Sequence, residues 1–219
     1  MSDNEINIEG RDMKNIGIIR LGIAMIALLA VLGACSSQEE ILTPSSPSDL
    51  VYSGNKNGTE TLGVPSIPIS GGSGFAEGGV GMVGVETAML DIDVPVGATV
   101  NQTLVYWAGG TTGADGDNEI LVDGVAVEGV LIGGPINFFS VNGVQYYFSA
   151  YRADITGMNL VVAGPNSFEI SEFDFDNTGG TLDENNGVSI VVIYDDGTDA
   201  DIDLVDGLDM AFFDFVPTL

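Results

Sequence analysis

The sequence predicts an all-β domain over residues 62–219, a single antiparallel β-sandwich of jelly-roll or immunoglobulin-like kind. Short runs of Val, Ile, Leu, Tyr and Phe are separated by Gly, Asn and Asp, as in β proteins. Helical periodicity is nearly absent. A stretch of ~160 residues with such runs forms a core large enough to be stable without disulfides. A closed barrel is the alternative architecture.

The runs differ in how many faces they can bury. Residues 87–94 alternate apolar and polar side chains, which predicts a strand with one buried face and one wet face. Residues 103–108 and 188–194 are apolar on both faces and are predicted to be central strands. Residues 200–205 alternate again, and residues 210–216 form a final run.

Two dipeptides predict tight hairpins. The apolar runs at residues 119–122 and 125–132 flank Asp123-Gly124, and a second pair of runs flanks Asn142-Gly143. Both central residues of a type I′ turn have positive φ, which Asn, Asp and Gly adopt most readily. We therefore expect antiparallel strand pairs at both positions.

Two places interrupt the strand pattern. Phe168 and Ile170 share one parity, whereas Phe173 and Phe175 take the other, so the alternation shifts by one residue. Such a shift predicts a β-bulge or a strand break between Ile170 and Phe173. Residues 154–158 are predicted to form one turn of helix between strands.

Residues 1–34 have the layout of a secretory signal peptide. The basic residues Lys14 and Arg20 precede an apolar run at residues 21–34, which is shorter than the roughly 20 residues that span a bilayer. Residues 1–12 carry four acids and one base, which is the wrong net charge for the start of a signal peptide. Met13 is therefore the expected initiator, and a naturally extended start of the signal is the alternative. The segment before Cys35 is left out of the predicted fold in either case.

The segment Leu32-Gly33-Ala34-Cys35 matches the lipobox of bacterial lipoproteins. The resemblance implies cleavage between Ala34 and Cys35, followed by lipidation of Cys35, the only cysteine of the chain. Several acyl chains on one residue suffice for stable anchoring. We therefore expect a lipid anchor in the cell envelope, at the outer membrane or cell surface. An ordinary secretory signal with a chance cysteine is the alternative.

Residues 35–61 are predicted to be the lipidated cysteine and a flexible tether. Ser, Pro, Asn, Gly and acidic residues predominate, and few large apolar groups are present to offset the entropy of ordering. The Ser, Gln and Glu residues directly after Cys35 resemble the export signal of some surface-exposed bacterial lipoproteins.

The chain is strongly acidic, with a formal net charge of −27 at pH 7. Four of its 32 acids and three of its five bases precede Cys35, which leaves 28 acids against Lys56 and Arg152. This charge repels phosphates and anionic lipid headgroups, so nucleic acid is not an expected partner. It favours cations, above all calcium. Adaptation to a saline setting is the alternative explanation.

Three sequence blocks together resemble a poorly characterised β-sandwich domain of large bacterial and archaeal surface proteins. The blocks are VPVGATV at 94–100 with LVYWAG at 104–109, YRADITG at 151–157, and NGVSIVVIYD at 186–195 with LVDG at 204–207. The resemblance implies a surface or adhesive module without assigned catalysis. Such domains continue with further strands, so the resemblance also implies a domain shortened at Leu219.

The composition excludes several classes of enzyme. The chain has no histidine, which excludes Ser–His–Asp and Cys–His nucleophiles and His-ligated zinc. Its glycine-rich segments lack the strand and helix that flank a phosphate-binding loop. Carboxylate pairs suited to glycoside hydrolysis are inevitable among so many acids and therefore carry no information. We expect no enzymatic activity.

Calcium is the predicted cofactor if the chain binds one. The loop that begins at Asp174 places oxygen donors and a glycine as an EF-hand loop does, but its twelfth position is Asn185 instead of Glu. A second acidic cluster follows residue 114, and Asp199, Asp201 and Asp203 form a third. The alternative for each is a solvated acidic surface. The predicted ligands are Asp115, Asp117, Glu119, Asp174, Asp176, Thr178, Asp183 and Glu184.

Arg152, the only arginine after Cys35, is predicted to form a structural ion pair with a carboxylate in or near the core. Asp154, two residues further along the same strand face, is the predicted partner. A binding role for Arg152 is the alternative. Five aromatic residues are predicted to be core, with a sugar-stacking platform as the alternative. They are Tyr106, Trp107, Tyr146, Tyr147 and Tyr151.

These features predict a surface-anchored lipoprotein whose β-sandwich is a non-catalytic adhesive or binding module. Its expected partners are the membrane, through the lipid anchor, and an extracellular glycan or protein ligand. A calcium-dependent carbohydrate-binding module is one alternative, and a carboxylate-based glycan hydrolase is another.

Overall fold

The computed structural model describes residues 21–22, 62–114, 116–172, 174–175 and 184–209. Within these ranges the chain forms eleven strands and one short 3-10 helix, Thr156–Met158. The strands are β1 (Leu21–Gly22), β2 (Gly74–Gly81), β3 (Ala88–Val94), β4 (Thr99–Thr111), β5 (Glu119–Val122), β6 (Val125–Glu128), β7 (Val130–Val141), β8 (Val144–Asp154), β9 (Gly164–Ser171), β10 (Glu184–Asp195) and β11 (Leu204–Val205).

Two antiparallel sheets pack as a sandwich, which confirms the predicted fold class. One sheet has the strand order β2-β10-β4-β8-β7, and the other has the order β3-β9-β5-β6. The pairings are nested, because β2 pairs with β10, β3 with β9, β4 with β8 and β5 with β6. This is a long hairpin rolled into two sheets, the jelly-roll arrangement.

The main core lies between the two sheets. Strand β3 shows this arrangement, because its side chains alternate between the core and solvent. Leu90, Ile92 and Val94 are buried, whereas the intervening Met89, Asp91 and Asp93 are exposed. The strands β4 and β10, predicted to be central, lie inside the five-stranded sheet. Val105 and Trp107 of β4 pack in the core with Val188, Ile190 and Val192 of β10.

The outer face of the five-stranded sheet is also buried, because two segments of the chain cover it. Residues 62–73 form an N-terminal strap, whose Ile67 and Ile69 pack against Leu104 and Tyr106. Residues 204–209 form a C-terminal strap, whose Leu208 packs with Ala108, Phe138, Tyr146, Phe148 and Ala150. The sandwich therefore has a third, partial layer.

The two straps are joined to each other. Gly63 and Asp206 form an antiparallel bridge with N–H···O distances of 2.8 and 2.9 Å. Strand β11, within the C-terminal strap, also pairs in parallel with β1, which lies in the predicted signal segment. Among the described residues, no helix has the length and apolar character needed to cross a membrane.

The predicted turns form as expected. Asp123 and Gly124 have φ values of 51° and 73°, and Asn142 and Gly143 have values of 51° and 82°, as type I′ hairpins require. The helical turn predicted at residues 154–158 corresponds to the 3-10 helix. Strand β9 ends at Ser171, where Glu172 has a φ of 49°, so the shifted alternation marks a strand break instead of a bulge.

Two predicted strands are wrong in extent. The run at residues 125–132 is divided at Gly129, where the chain passes from one sheet to the other directly over the Trp107 ring, leaving no room for a Cβ. Of the run at residues 200–205, only Leu204–Val205 is a strand. The run at residues 210–216 lies outside the described residues.

Candidate functional sites

An aromatic stack in the core fixes two of the acidic loops. Trp107 of β4 and Tyr151 of β8 are cross-strand partners, with ring centroids 5.8 Å apart. Phe175, from the loop after β9, packs 6.3 Å from Tyr151 and is buried. The indole Nε1 of Trp107 donates a hydrogen bond of 2.9 Å to the carbonyl oxygen of Asp117. The loops that carry Asp117 and Asp174 are therefore both attached to this stack.

The side chain of Asp117 joins these two loops. Its Oδ2 accepts a hydrogen bond of 2.6 Å from the backbone N–H of Asp174, and its Oδ1 accepts one of 3.1 Å from the N–H of Glu119. The structure thus brings together two clusters that the sequence separates by more than fifty residues. We call Asp117, Glu119 and Asp174 the loop junction.

Burial raises the pKa of Asp117. The N–H groups of Asp174 and Glu119 favour the charged carboxylate and oppose this shift, while the negative charges of the same two residues add to it. The carboxylate of Asp117 is therefore held by backbone donors but repelled by its acidic neighbours.

Asn185 lies at the twelfth position of the EF-hand-like loop that begins at Asp174. Its side chain is buried, and its Oδ1 accepts a hydrogen bond of 3.0 Å from the N–H of Phe175. An EF-hand has a bidentate glutamate at this position of the loop. Asn185 holds the backbone at the start of the loop instead.

Three of the predicted calcium ligands are described: Asp117, Glu119 and Asp174. Within the described part of the chain, no group of three or more acidic or cysteine side chains is arranged to hold a metal ion. Glu184 begins β10, but its side chain is not described. The remaining predicted ligands, Asp115, Asp176, Thr178 and Asp183, lie outside the described residues, so the calcium prediction stays a prediction.

Arg152 forms the predicted kind of ion pair with a different partner. Its guanidinium contacts the carboxylate of Asp206, and both side chains are buried. The same guanidinium donates a hydrogen bond of 3.1 Å to Ser66 Oγ, while Tyr106 is the cross-strand neighbour of Arg152. We call Arg152, Asp206, Ser66 and Tyr106 the Arg152 cluster. It links β8 to both straps.

The prediction that Arg152 pairs with Asp154 is therefore wrong. Asp154 lies at the exposed end of β8, where its carboxylate accepts hydrogen bonds from Gln102 Nε2 at 2.8 Å and from Thr156 N at 3.0 Å. Partial burial would raise the pKa of Asp154, but these hydrogen bonds and the charge of Arg152 outweigh it and lower the pKa. Arg152 contacts Asp206 of the C-terminal strap instead, because the carboxylate of Asp206 is buried beside the guanidinium.

Burial also governs ionisation inside the Arg152 cluster. It raises the pKa of Asp206 against the opposing attraction of Arg152. Burial, together with the negative charge of Asp206, raises the pKa of Tyr106 far above its ordinary value, so the phenol remains neutral. The cluster therefore combines one permanent cation with one carboxylate in a largely apolar layer.

Four of the five aromatic residues predicted to be core are buried, and Tyr147 is the exception. Tyr106, Trp107, Tyr146 and Tyr151 are all buried, and Tyr147 is half-buried with its hydroxyl 2.6 Å from Gln145 Oε1. These five residues do not form an exposed sugar-stacking platform. Ala34 and Cys35, the predicted cleavage and lipidation positions, lie outside the described residues.

Gln102 is a structurally important residue that the sequence did not reveal. Its Nε2 donates to the carbonyl oxygen of Pro68 at 3.1 Å, and its Oε1 accepts from Ser70 N at 2.8 Å. Asn101 adds a hydrogen bond of 2.9 Å from its Nδ2 to the carbonyl oxygen of Gly71. Asn101 and Gln102 thus both bind the N-terminal strap. The only sign of this role in the sequence is that two polar residues stand together near the start of a largely apolar strand.

Comparison of the chain with family models, with curated proteins and with solved structures gives no match. The resemblance to surface-protein domains and to lipoproteins therefore stays a prediction.

Proposed function

We propose that this chain is a surface-anchored lipoprotein whose jelly-roll sandwich is a non-catalytic adhesive or binding module. The observation that carries the proposal is the position of the N-terminal strap. The strap follows directly on the predicted tether of residues 35–61, and side chains of three strand positions bind it to the sheet. A lipid at Cys35 would thus be connected to a firmly attached end of the domain.

The buried polar side chains in the described part of the sandwich favour a structural role for these residues over a catalytic one. Arg152, Gln102 and Asn185 are buried, and each makes hydrogen bonds that fix a segment of the chain. Ligand contacts in such a module would come from the exposed loops and strand faces, where most of the described carboxylates lie.

Surface display and adhesion test this proposal together. A deletion strain complemented with the wild-type gene should expose the protein to protease added to intact cells, and should attach to extracellular material better than the deletion strain. A strain complemented with Cys35→Ser should lose both properties. Equal attachment by the wild-type, Cys35→Ser and deletion strains would contradict an adhesive role.

The loop junction favours a second candidate, a calcium-dependent carbohydrate-binding module. Asp117 brings two acidic loops into contact, and carboxylate oxygens are the ligands that calcium prefers. Binding to a glycan array with calcium, and its loss on addition of EDTA, would support this function. Binding that EDTA leaves unchanged would favour the non-calcium module, and so would binding to a protein ligand alone.

A further inference from the structure

The Arg152 cluster lies where the chain enters the domain. Arg152 is the one Lys or Arg within the described ranges, and it is almost completely buried. It contacts Asp206 of the C-terminal strap and Ser66 of the N-terminal strap from its position on β8. One side chain thus ties both straps to a strand inside the sheet.

Further contacts bind the N-terminal strap along its length. Gly63 pairs with Asp206, Pro68 and Ser70 bond to Gln102, and Gly71 bonds to Asn101. Between them, Ile67 and Ile69 pack on the apolar outer face of the sheet. The strap then continues into β2, the outermost strand of that sheet. Tension applied at residue 62 must therefore separate the strap from the sheet before it reaches β2.

We propose that the Arg152 cluster is a tension-bearing clamp, which keeps the N-terminal strap on the sheet when the domain is pulled from its N-terminal side. Removing the strap would expose the apolar face of β4 and β10 and would leave the buried charges of Arg152 and Asp206 without the Ser66 contact. Both effects oppose detachment. The inference rests on the proposed function only for the source of the tension, which is a lipid at Cys35.

Single-molecule pulling tests the clamp. Cys35 is the only cysteine, so the full chain, produced without lipid, can be held there and at a second cysteine introduced as Val144→Cys on β8. Release of residues 62–73 lengthens the molecule by up to about 40 Å. We expect this step at a measurable force in the parent protein and at a clearly lower force in Ser66→Ala. The force that unfolds the sheet should stay unchanged.

Ser70→Ala is the matched control, because Ser70 bonds to Gln102 through its backbone N–H, which the substitution keeps. It should leave the release force at the parent value. Arg152→Met should lower the release force further than Ser66→Ala does. If Arg152→Met does not fold, the comparison of Ser66→Ala with Ser70→Ala is sufficient to test the clamp. Equal release forces in Ser66→Ala and Ser70→Ala would overturn the proposal. Failure of lipid attachment at Cys35 would change none of these forces, so the two failures are distinguishable.

Discussion

Asp206 and Asp117 are both carboxylates whose pKa burial raises, but the structure surrounds them differently. Asp206 contacts Arg152, so a cation of the chain itself balances its charge. Asp117 is held by the N–H groups of Asp174 and Glu119, whose own carboxylates increase the local negative charge. The negative charge of a partly or fully buried carboxylate is thus offset by a guanidinium at one site and by backbone N–H groups at the other.

The difference shows where this acidic chain can respond to its surroundings. In the Arg152 cluster, the guanidinium of Arg152 balances the charge of Asp206. In the loop junction, only backbone N–H dipoles offset the charge of Asp117. A cation from solution would therefore stabilise the native state more at the loop junction than at the Arg152 cluster. Substitutions in the Arg152 cluster should therefore change stability strongly, whereas added cations should act mainly at the loop junction.

The largest expected effect is that of Arg152→Met. This substitution leaves the carboxylate of Asp206 buried without its cation, and breaking a buried pair in this way costs about 3–5 kcal/mol of unfolding free energy. Urea unfolding followed by the fluorescence of Trp107, the only tryptophan, measures the loss. The double variant Arg152→Met/Asp206→Leu should lose less than the single variant, because no uncompensated charge remains. A loss below about 1 kcal/mol in the single variant would contradict the buried pair.

Calcium should have an intermediate effect, and it should act through the loop junction. At about 100 times its dissociation constant, an ion that binds only the native state adds roughly 2.7 kcal/mol. In a domain of this size, the melting temperature would rise by about 5–10 °C. Thermal melts in millimolar calcium and in sodium chloride of equal ionic strength separate binding from general screening.

Asp117→Asn should abolish the calcium-specific part of this rise. Asp91→Asn is the matched control, since it removes the same charge from an exposed position on β3. It should keep the calcium response. Identical melting curves in calcium and sodium for the wild-type protein would leave the junction as a solvated acidic surface.

The smallest expected effect is a difference in pH dependence. The native state holds a proton on Asp117 more tightly than the unfolded chain does, so its contribution to stability declines as the pH rises above the ordinary value of 3.8. The lowered pKa of Asp154 acts in the opposite sense: its stabilisation is present above pH 3.8 and is lost as the pH falls through the native value.

Unfolding free energies measured from pH 3 to 7 check these signs. Asp117→Asn should lessen the decline above pH 3.8, to which the raised pKa of Asp206 also contributes. Asp154→Asn should remove part of the rise below pH 3.8. Parallel profiles for the wild-type protein and both variants would contradict the assignment of the two carboxylates.

The two sites also differ in how far the sequence could predict them. The alternation in β3 and the dipeptides Asp123-Gly124 and Asn142-Gly143 are local signals, and the structure confirms the strand and both hairpins. The loop junction was predicted as two separate acidic clusters, because nothing in the sequence indicates that Asp117 bonds to Asp174 across 57 positions.

The Arg152 cluster depends still more on the tertiary fold. The sequence indicated that a lone arginine in so acidic a chain would find a carboxylate, but it favoured Asp154 because that residue is near. The true partner, Asp206, lies 54 positions away on a strap that folds over the outer face of the sheet. Likewise, the division of residues 125–132 at Gly129 follows from the position of the Trp107 ring, which the local pattern does not contain.

Anchoring through Cys35 is the central claim of the functional proposal, and labelling with radioactive palmitate tests it most directly. The wild-type protein should incorporate the label and partition with membranes. Cys35→Ser should incorporate none and should appear in the soluble fraction, while Ser36→Ala, a neighbouring control, should behave like the wild type. Continued labelling of Cys35→Ser, or an unlabelled wild-type protein, would contradict the anchor.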